Sequence, residues 1–459
     1  MPVRFRIDNP TLAGPLRRIE ELTRRTGGRT WLVGGCVRDL VLGRQPNDLD
    51  LEITGIPPGQ LHALLAEHFP VQFVGKAFGV FKLQDLPIDL SIPSRVLTST
   101  DSVPGLLRQS EPGMDIDEAL ARRDFTINAI AWDPDTLELR DPFNGRADLT
   151  TRVLRHVSNR FSEDPLRVLR GMQLTARFEL TVAPETVELC NTLSQEGLPG
   201  ERLWEEWKKL LLQGVKPSFG LQFLSDCGWL RHYPELAALQ GCAQDPIWHP
   251  EGDVWTHTLH CMDWFATERT GNQTDDLIVG LGILCHDFGK PATTKEEFGR
   301  TTSRGHEPEG EAPTRRFLER LSNQEDLANE VVPLVLCHLR PRALYDARAT
   351  DSAVRRLARQ VRRIDRLVRV ARADHAGRPP RVFDDFPAGK WLMERAQRLS
   401  VECHPPEPIV MGRHLLDLGV QPGPKMGRLL DDCFEAQLDG LFSTVEGGIA
   451  FITARLSAP

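Results

Sequence analysis

Two aspartates separated by one leucine, Asp48 and Asp50 in "NDLDLEITG", carry the first recognisable chemistry in this chain of 459 residues. Residues two apart in an extended strand point to one face, so both carboxylates aim at a common point. Like charges that close repel unless a cation sits between them, and hard ions such as Mg²⁺ favour carboxylate and phosphate oxygens. Just upstream, "WLVGGCVRDLVLG" ends an apolar run with Gly34 and Gly35, then sets Arg38 and Asp39 where the spacing predicts the first turn of a helix. Glycine lets a phosphate approach the backbone with no Cβ in the way, and helix N-terminal N–H groups point outward. Alone, a DxD on a strand is commonly a solvated acidic pair. Joined to GGxVRD at this separation, it predicts a nucleoside-triphosphate site for two-metal phosphoryl transfer.

A second set of residues is spread over the later chain: His257 in "WTHTL", His286 and Asp287 in "LCHDFGK", His306 in "RGHEPEG", His338 in "LCHLRP" and Asp374 in "RADHAG". A lone histidine is more often structural than a ligand. An adjacent His-Asp pair closing the apolar helical run "LIVGLGILCHD" is more specific, and imidazoles mixed with carboxylates suit transition metals better than Mg²⁺.

The elements that must hold these groups follow from periodicity. Residues 11–27 read as a helix, "RTWLVGG" as a buried strand, "CVRDLVLG" as a helix and "DLDLEITG" as a strand. "HFPVQFVGKAFGVFKLQ" and "LPIDLSIP" continue as strands, giving a small α/β sheet domain. "SRVLTSTDSVPGLLRQSEPGMDI", rich in Ser, Pro and Gly, reads as a mobile loop flanking a site. From about residue 160 the pattern is helical, with "DPLRVLRGMQLTARF" and "RLWEEWKKLLLQG" repeating apolar residues every three or four positions. Punctuated stretches at 239–255 ("LQGCAQDPIWHPEGDVW") and in "RPPRVFDDFPAGKW" mark boundaries, and no fixed-period repeat is present.

The length implies several domains. A hydrophobic content of 40%, a charged content of 26% and nine cysteines without CxxC pairs describe an ordinary protein of a reducing cytoplasm. No run reaches the roughly 18 apolar residues of a membrane span, and "MPVRFRIDNPTL" lacks the apolar core of a secretory signal. The net charge of −8 argues against a surface coated throughout for nucleic acid. Locally, "VRRLARQVRRIDRLVRVARADHAGRPPR" (354–381) gathers ten arginines against two aspartates, either a solvated helix face or a phosphate-tracking surface.

"LVGGCVRDLVLG" with "NDLDLEITG" closely resembles the signature of class II tRNA nucleotidyltransferases and bacterial poly(A) polymerases. The resemblance continues through "RRDFTINAIAWD", "LRDPFNGRADLTTRVLRHV", "EDPLRVLRGMQLTARF" and "ERLWEEWKKLL", about half the chain. It implies an α+β protein: a nucleotidyltransferase head (1–137), a helical neck and body that selects nucleotide and binds RNA (138–240), an HD phosphohydrolase domain (241–385) and a helical tail (386–459). It also implies Mg²⁺ at Asp48 and Asp50, with Asp89 of "PIDLS" as a third carboxylate. Nucleotide contacts would come from Gly34, Gly35, Arg38, Asp39, Arg123, Asp124 and Asn128, and from Arg170 on the triphosphate. Asp164 and Arg167, three apart on one helix face, would read the incoming C or A without a template. Gln173 stands where an arginine is frequent, which shifts the triphosphate onto Arg38, Arg123 and Arg170.

The order H…HD…H…H…D is similar to the HD phosphohydrolase superfamily. Its first His, HD pair and last Asp hold one metal, while the middle histidines support a second; Ni²⁺, Mn²⁺ or Co²⁺ fits, and Lys290 is placed to meet a substrate phosphate. The resemblance therefore implies a cytoplasmic enzyme that adds C and A to the 3′ end of tRNA from CTP and ATP, with phosphatase and 2′,3′-cyclic phosphodiesterase activity in the HD domain. Alternatives are a poly(A) polymerase, an enzyme adding only CC or only A, and a nucleotide phosphohydrolase with a sensing head. Ala77 in "VGKAFGVF" departs from the basic pair typical of the polymerases, and the loop at about 95–120 would separate full from partial addition.

Overall fold

A computed structural model describes residues 3–74, 80–97, 107–322, 324–380 and 385–457. Ala77 and much of the loop at 95–120 lie outside these residues. The chain divides into two compact units, Met1–Leu198 and Pro199–Pro459.

The first unit opens with helix α1 (Pro10–Arg25), whose start is set by Asn9 accepting the Thr11 N–H and by Pro10 in its first turn. Leu12, Leu16, Ile19 and Leu22 recur at helical spacing and are all buried against the sheet side of the unit. Strand β1 (Arg29–Val33) follows, then α2 (Gly35–Val41), β2 (Leu49–Thr54), α3 (Pro58–Ala66), β3 (Val71–Val74), β4 (Val80–Leu83) and β5 (Ile88–Ser91). A separate hairpin, β6 (Ser94–Leu97) with β7 (Leu107–Ser110), precedes α4 (Ile116–Leu120), β8 (Ala131–Asp133), β9 (Glu138–Arg140), α5 (Gly145–Thr151) and α6 (Leu166–Phe178).

Seven strands form one mixed sheet in the order β3-β4-β5-β2-β1-β8-β9. Only β2 and β5 run parallel, and their register sets Asp50 directly opposite Asp89. β1 pairs antiparallel to β2 with Leu32 opposite Leu51, so the chain leaves β1 toward Gly34 beside Asp50. The four residues after Arg29 in β1 are buried, which is why "TWLV" reads as a continuous apolar run rather than alternating. Trp31 and Val33 pack with Met114, Ile116, Leu120 and Ala131, joining the GG turn to the segment that carries Arg123 and Asp124.

The second unit is helical apart from one small hairpin, Lys295–Glu297 with Arg300–Thr302. Helices Val254–Thr267, Gln273–Cys285, Glu325–Cys337 and Ile364–Ala376 frame its core. Trp207 is fully buried there, donating its indole N–H to the Tyr233 hydroxyl at 3.1 Å with Phe317 edge-on.

The arginine-rich stretch resolves as an intramolecular ion-pair network. Arg363 and Arg366 meet Asp275, Arg366 also meets Glu330, Arg369 meets Asp276, and Arg356 and Arg359 meet Glu435. Acids on neighbouring helices thus answer most of the positive charge along this stretch, which favours the helix-face reading over a phosphate-tracking surface.

Candidate functional site

The first unit gathers its chemistry around the end of β1. Gly34 turns the chain at φ 73° and ψ −135°, a conformation L side chains avoid. A Cβ there would lie 2.7 Å from an Arg123 guanidinium nitrogen and 3.3 Å from Asp50 Oδ2. Gly34 is therefore glycine for two reasons, backbone and space, and it marks where Arg123 and Asp50 converge. Gly35 starts α2, and the Arg38 guanidinium folds back beside it.

Asp48 sits exposed one residue before β2, not within it, while Asp50 lies on the strand. With Asp89 and Lys82 they line a groove of about 290 Å³. Asp89 is drawn to Lys82, 2.9 Å from its Nζ. Asp50 reaches solvent on one side yet is crowded on the others. That loss of water pushes its carboxyl up, Arg123 pulls it down, Asp48 and Asp89 push it up again, and the net direction is upward. Oxygen donors whose charges repel one another across a groove fit a hard divalent cation. Glu52, missed in the sequence, extends the stripe: it is buried on the same strand, two residues past Asp50, and holds Arg123 at 3.3 Å. The period-two run D-L-D-L-E was the available signal.

Behind this groove lies a buried polar relay. Arg38 is 5% exposed; it donates to Asn128 Oδ1 at 2.8 Å and to Asp39 Oδ1 at 2.8 Å, and stacks 4.4 Å over the Phe178 ring. Asn128 passes the chain on, its Nδ2 donating to Asp124 Oδ1 at 3.1 Å. Asp124 Oδ2 is 2.8 Å from Arg170 Nη2. Burial by itself would raise the Asp124 carboxyl; Arg170, Asn128 and the Phe125 N–H outweigh it and hold the group below its ordinary value. Asp39 and Asn128 thus orient Arg38, whose side chain is buried, whereas Arg123 and Arg170 keep 24% and 46% of their side-chain surface open.

Asp164 does not share a helix face with Arg167, as the spacing had predicted. It precedes α6 in an extended conformation and accepts the Leu166 N–H at 3.2 Å, because Pro165 forces its neighbour out of the helical region. Arg167, on α6, donates to the carbonyls of Arg160 at 2.8 Å and Arg122 at 2.6 Å, which lock its planar fork. Gln173 is buried and accepts from Arg177, so it faces away from a ligand role.

The second unit brings all six spaced residues together. His257 lies on one helix, Asp374 on another, and His286 and His338 each end a helix within the same tripeptide, Leu-Cys-His. His286 Nδ1 lies 2.6 Å from the Ile283 carbonyl, His338 Nδ1 2.7 Å from Val335 and His306 Nδ1 2.8 Å from Ser303. A carbonyl only accepts, so each Nδ1 carries the proton, and the lone pair is left on Nε2. In each case the partner is three residues back: for His286 and His338 it is a carbonyl in the last turn of the helix each one closes, and for His306 it is the Ser303 carbonyl, just before the helix that His306 opens.

Those Nε2 atoms converge. His306 Nε2 and His338 Nε2 stand 3.2 Å apart, His286 Nε2 is 3.1 Å from Asp287 Oδ2, and His257 Nε2 is 3.1 Å from Asp374 Oδ1. His286 Nε2 and Asp287 Oδ1 are buried without a hydrogen-bond partner, while Asp287 Oδ2 is met by Lys290 Nζ at 2.7 Å. Lone pair facing lone pair in a buried place is what metal ions relieve, so the donors fit the metal centre that the spacing implied. Asp287, His306 and His338 form one tight set of donor atoms, and His257, His286 and Cys261 another.

Burial, with His286 and His306 nearby, pushes His338 down to about 3, leaving it neutral as a ligand must be. Burial would raise Asp287, but His286, Lys290 and His306 hold it well below the usual carboxylate range. Lys290 Nζ, 2.7 Å from Asp287, faces a cavity of about 520 Å³ that also takes in His306, His338, Arg304 and Trp248. Gly289 lets this wall pack closely: a Cβ on it would lie 2.0 Å from the His306 carbonyl oxygen.

Comparison with known proteins gives a family match in each unit. Residues 30–155 match the family model of the poly A polymerase head domain, and residues 254–371 match that of the HD domain. The chain is similar to the multifunctional CCA proteins of Xanthomonas campestris pv. campestris (35% identical, covering 88% of this chain and 96% of that one) and Stenotrophomonas maltophilia (37%, 82% and 93%). Among solved structures, it shares its fold with the CCA-adding enzyme of Bacillus stearothermophilus in complex with CTP (TM-score 0.66, 21% identity, 98% of each chain). The same holds for the Thermotoga maritima CCA-adding enzyme complexed with tRNA (TM-score 0.59, 20% identity, 98% and 97%).

Two outcomes follow from this geometry. Gly34→Ala, strained by about 1–2 kcal/mol and colliding with Arg123, is expected to cut first-unit turnover at least about tenfold while circular dichroism shows an intact fold. Asp124→Asn removes the buried carboxylate that faces Arg170 at 2.8 Å and is expected to cost about 3 kcal/mol at neutral pH in urea unfolding. Because the folded carboxyl lies below its unfolded value, wild type keeps that advantage above the ordinary carboxylate value of about 4 and loses it as pH falls further, so the two curves should draw together in acid.

Proposed function

Because the chain belongs to the multifunctional CCA protein family, we propose that it adds C and A residues to the 3′ end of tRNA from CTP and ATP, without a template. A second, phosphohydrolase activity resides in its HD domain. The observation that carries the reading is the meeting of Gly34, Asp50 and Arg123 at one point, with Asp48 and Asp89 lining the adjoining groove.

Asp48 and Asp50, with Asp89 opposite, are the residues to hold Mg²⁺. When bound, Mg²⁺ makes the RNA 3′-hydroxyl a better nucleophile and offsets charge on the departing pyrophosphate. Arg123 and Arg170 retain open surface and are the forks for the triphosphate; Glu52 and Asp124 hold them at the angle they need. Asp124 Oδ2 is the oxygen to be shared between Arg170 and the ribose 2′-hydroxyl. Asp164 and Arg167, each pinned by backbone partners, present an acceptor and a donor edge to the base with little rotamer freedom left to lose.

In the HD domain the ligands are His257, His286, Asp287 and Asp374, with His306 and His338 supporting a second ion. Ni²⁺, Mn²⁺ or Co²⁺ suits such imidazole-rich donors. A divalent ion there supplies an acidified water for attack on phosphorus. Lys290 and Arg304 line the cavity as counter-charges for a phosphoester of nucleotide size. Nine unpaired cysteines suit the reducing cytoplasm in which tRNA is processed.

Incubation of tRNA lacking its last three nucleotides with Mg²⁺ and labelled CTP and ATP is expected to extend it by three and stop. A long A tail, or no addition, overturns the reading, and Asp48→Asn with Asp50→Asn should lower addition by at least about 10³-fold. Replacing His286 and Asp287 together by Ala is expected to abolish metal-dependent phosphate release from 2′,3′-cyclic nucleotide and its product while tRNA extension persists. Loss of both in a folded protein sinks the assignment of two separate chemistries.

A further inference from the structure

The stretch Trp248 to Trp255 places a glutamate where none of the six ligands requires one. Glu251 shows no exposed side-chain surface (0%), and its Oε1 lies 2.8 Å from His249 Nδ1 and 2.8 Å from His257 Nδ1. His257 Nδ1 also lies 3.0 Å from the Gly377 carbonyl. Both neighbours of that nitrogen are acceptors, so Nδ1 bears a proton, while Nε2 faces Asp374 Oδ1 at 3.1 Å and Asp287 Oδ2 at 4.0 Å. The other three ring histidines obtain this tautomer from a carbonyl three residues back; His257 alone leans on a carboxylate. The same oxygen holds His249, whose ring stands edge-on to His257 at 4.9 Å between centroids and lines the cavity beside Lys290. Asp253, two residues on, caps the His257 helix by accepting the Thr256 N–H at 2.9 Å and takes the Gly241 N–H at 2.7 Å, which anchors the turn carrying Glu251.

We infer that Glu251 is a positioning residue of the HD centre, orienting His257 toward its metal ion and holding His249 in the wall of the substrate cavity. A ligating imidazole backed by a carboxylate is a stronger and better-aimed donor than one left to rotate. This rests on the reading of the six residues as a metal centre, and it adds a determinant of metal affinity from outside them.

The test is titration of the metal-free full-length chain with Co²⁺, followed by the visible absorption of the bound ion and by calorimetry, for wild type, Glu251→Gln, Glu251→Ala and His249→Ala. Glu251→Ala is expected to weaken Co²⁺ binding about 10- to 100-fold with a shifted spectrum. Glu251→Gln, which keeps one acceptor of the same shape, should recover much of that loss, and His249→Ala should bind Co²⁺ as wild type does. Extension of tRNA by all three variants serves as the check that the chain is folded. Unchanged affinity and spectrum in Glu251→Ala overturn the inference. So does one bound Co²⁺ fewer in His249→Ala, which would make His249, Glu251 and His257 a metal site in their own right. If wild type binds no Co²⁺, the metal-centre reading itself falls, a result distinct from either.

Discussion

Both sites rest on one constraint: groups that repel or ignore one another are held face to face by bonds made on their far sides. In the head, Asp50 and Asp89 are opposed by strand register and Asp48 borders the same groove. In the HD domain, imidazole lone pairs are aimed at one another and at Asp287 because each ring's other nitrogen is tied to an acceptor. Such arrangements cost free energy, and the surrounding fold supplies it through backbone hydrogen bonds and packing. A cation held between these groups would offset that cost.

The head depends further on the relay from Arg38 through Asn128 and Asp124 to Arg170. It joins the helix after the GG turn, the segment between α4 and β8, and α6, three stretches far apart in sequence. A half-satisfied buried polar network is worse than an apolar one, so each member makes the others necessary. The open forks, Arg123 and Arg170, are each held by an acid at Nη2 and so present guanidinium groups already aimed. The HD domain reaches a comparable rigidity differently, by placing histidines at helix ends, where each Nδ1 finds a carbonyl three residues back.

Several features of these sites were written openly in the chain. The DxD pair, the GGxVRD turn and the H…HD…H…H…D series announced their chemistry through residue type and spacing, and helices and strands of the head followed the periodicity of their apolar residues. Glu52 was visible in the alternation of D-L-D-L-E but was passed over. Asp164 was placed on a helix face because its spacing to Arg167 is helical, and Pro165 overrode that by excluding the helical conformation just before it.

Local order and local chemistry could be read from the sequence, since periodicity, turn residues and ligand types act over a few positions. What only the tertiary structure decided was partnership. It set Arg38 against Asn128, answered the arginine-rich helices with acids from elsewhere in the same unit, and set Glu251 against His249 and His257. Hydrogen bonds and ion pairs depend on distances of about 3 Å between residues tens to hundreds of positions apart, and no spacing along the chain encodes those distances until the sheet register and helix packing are formed.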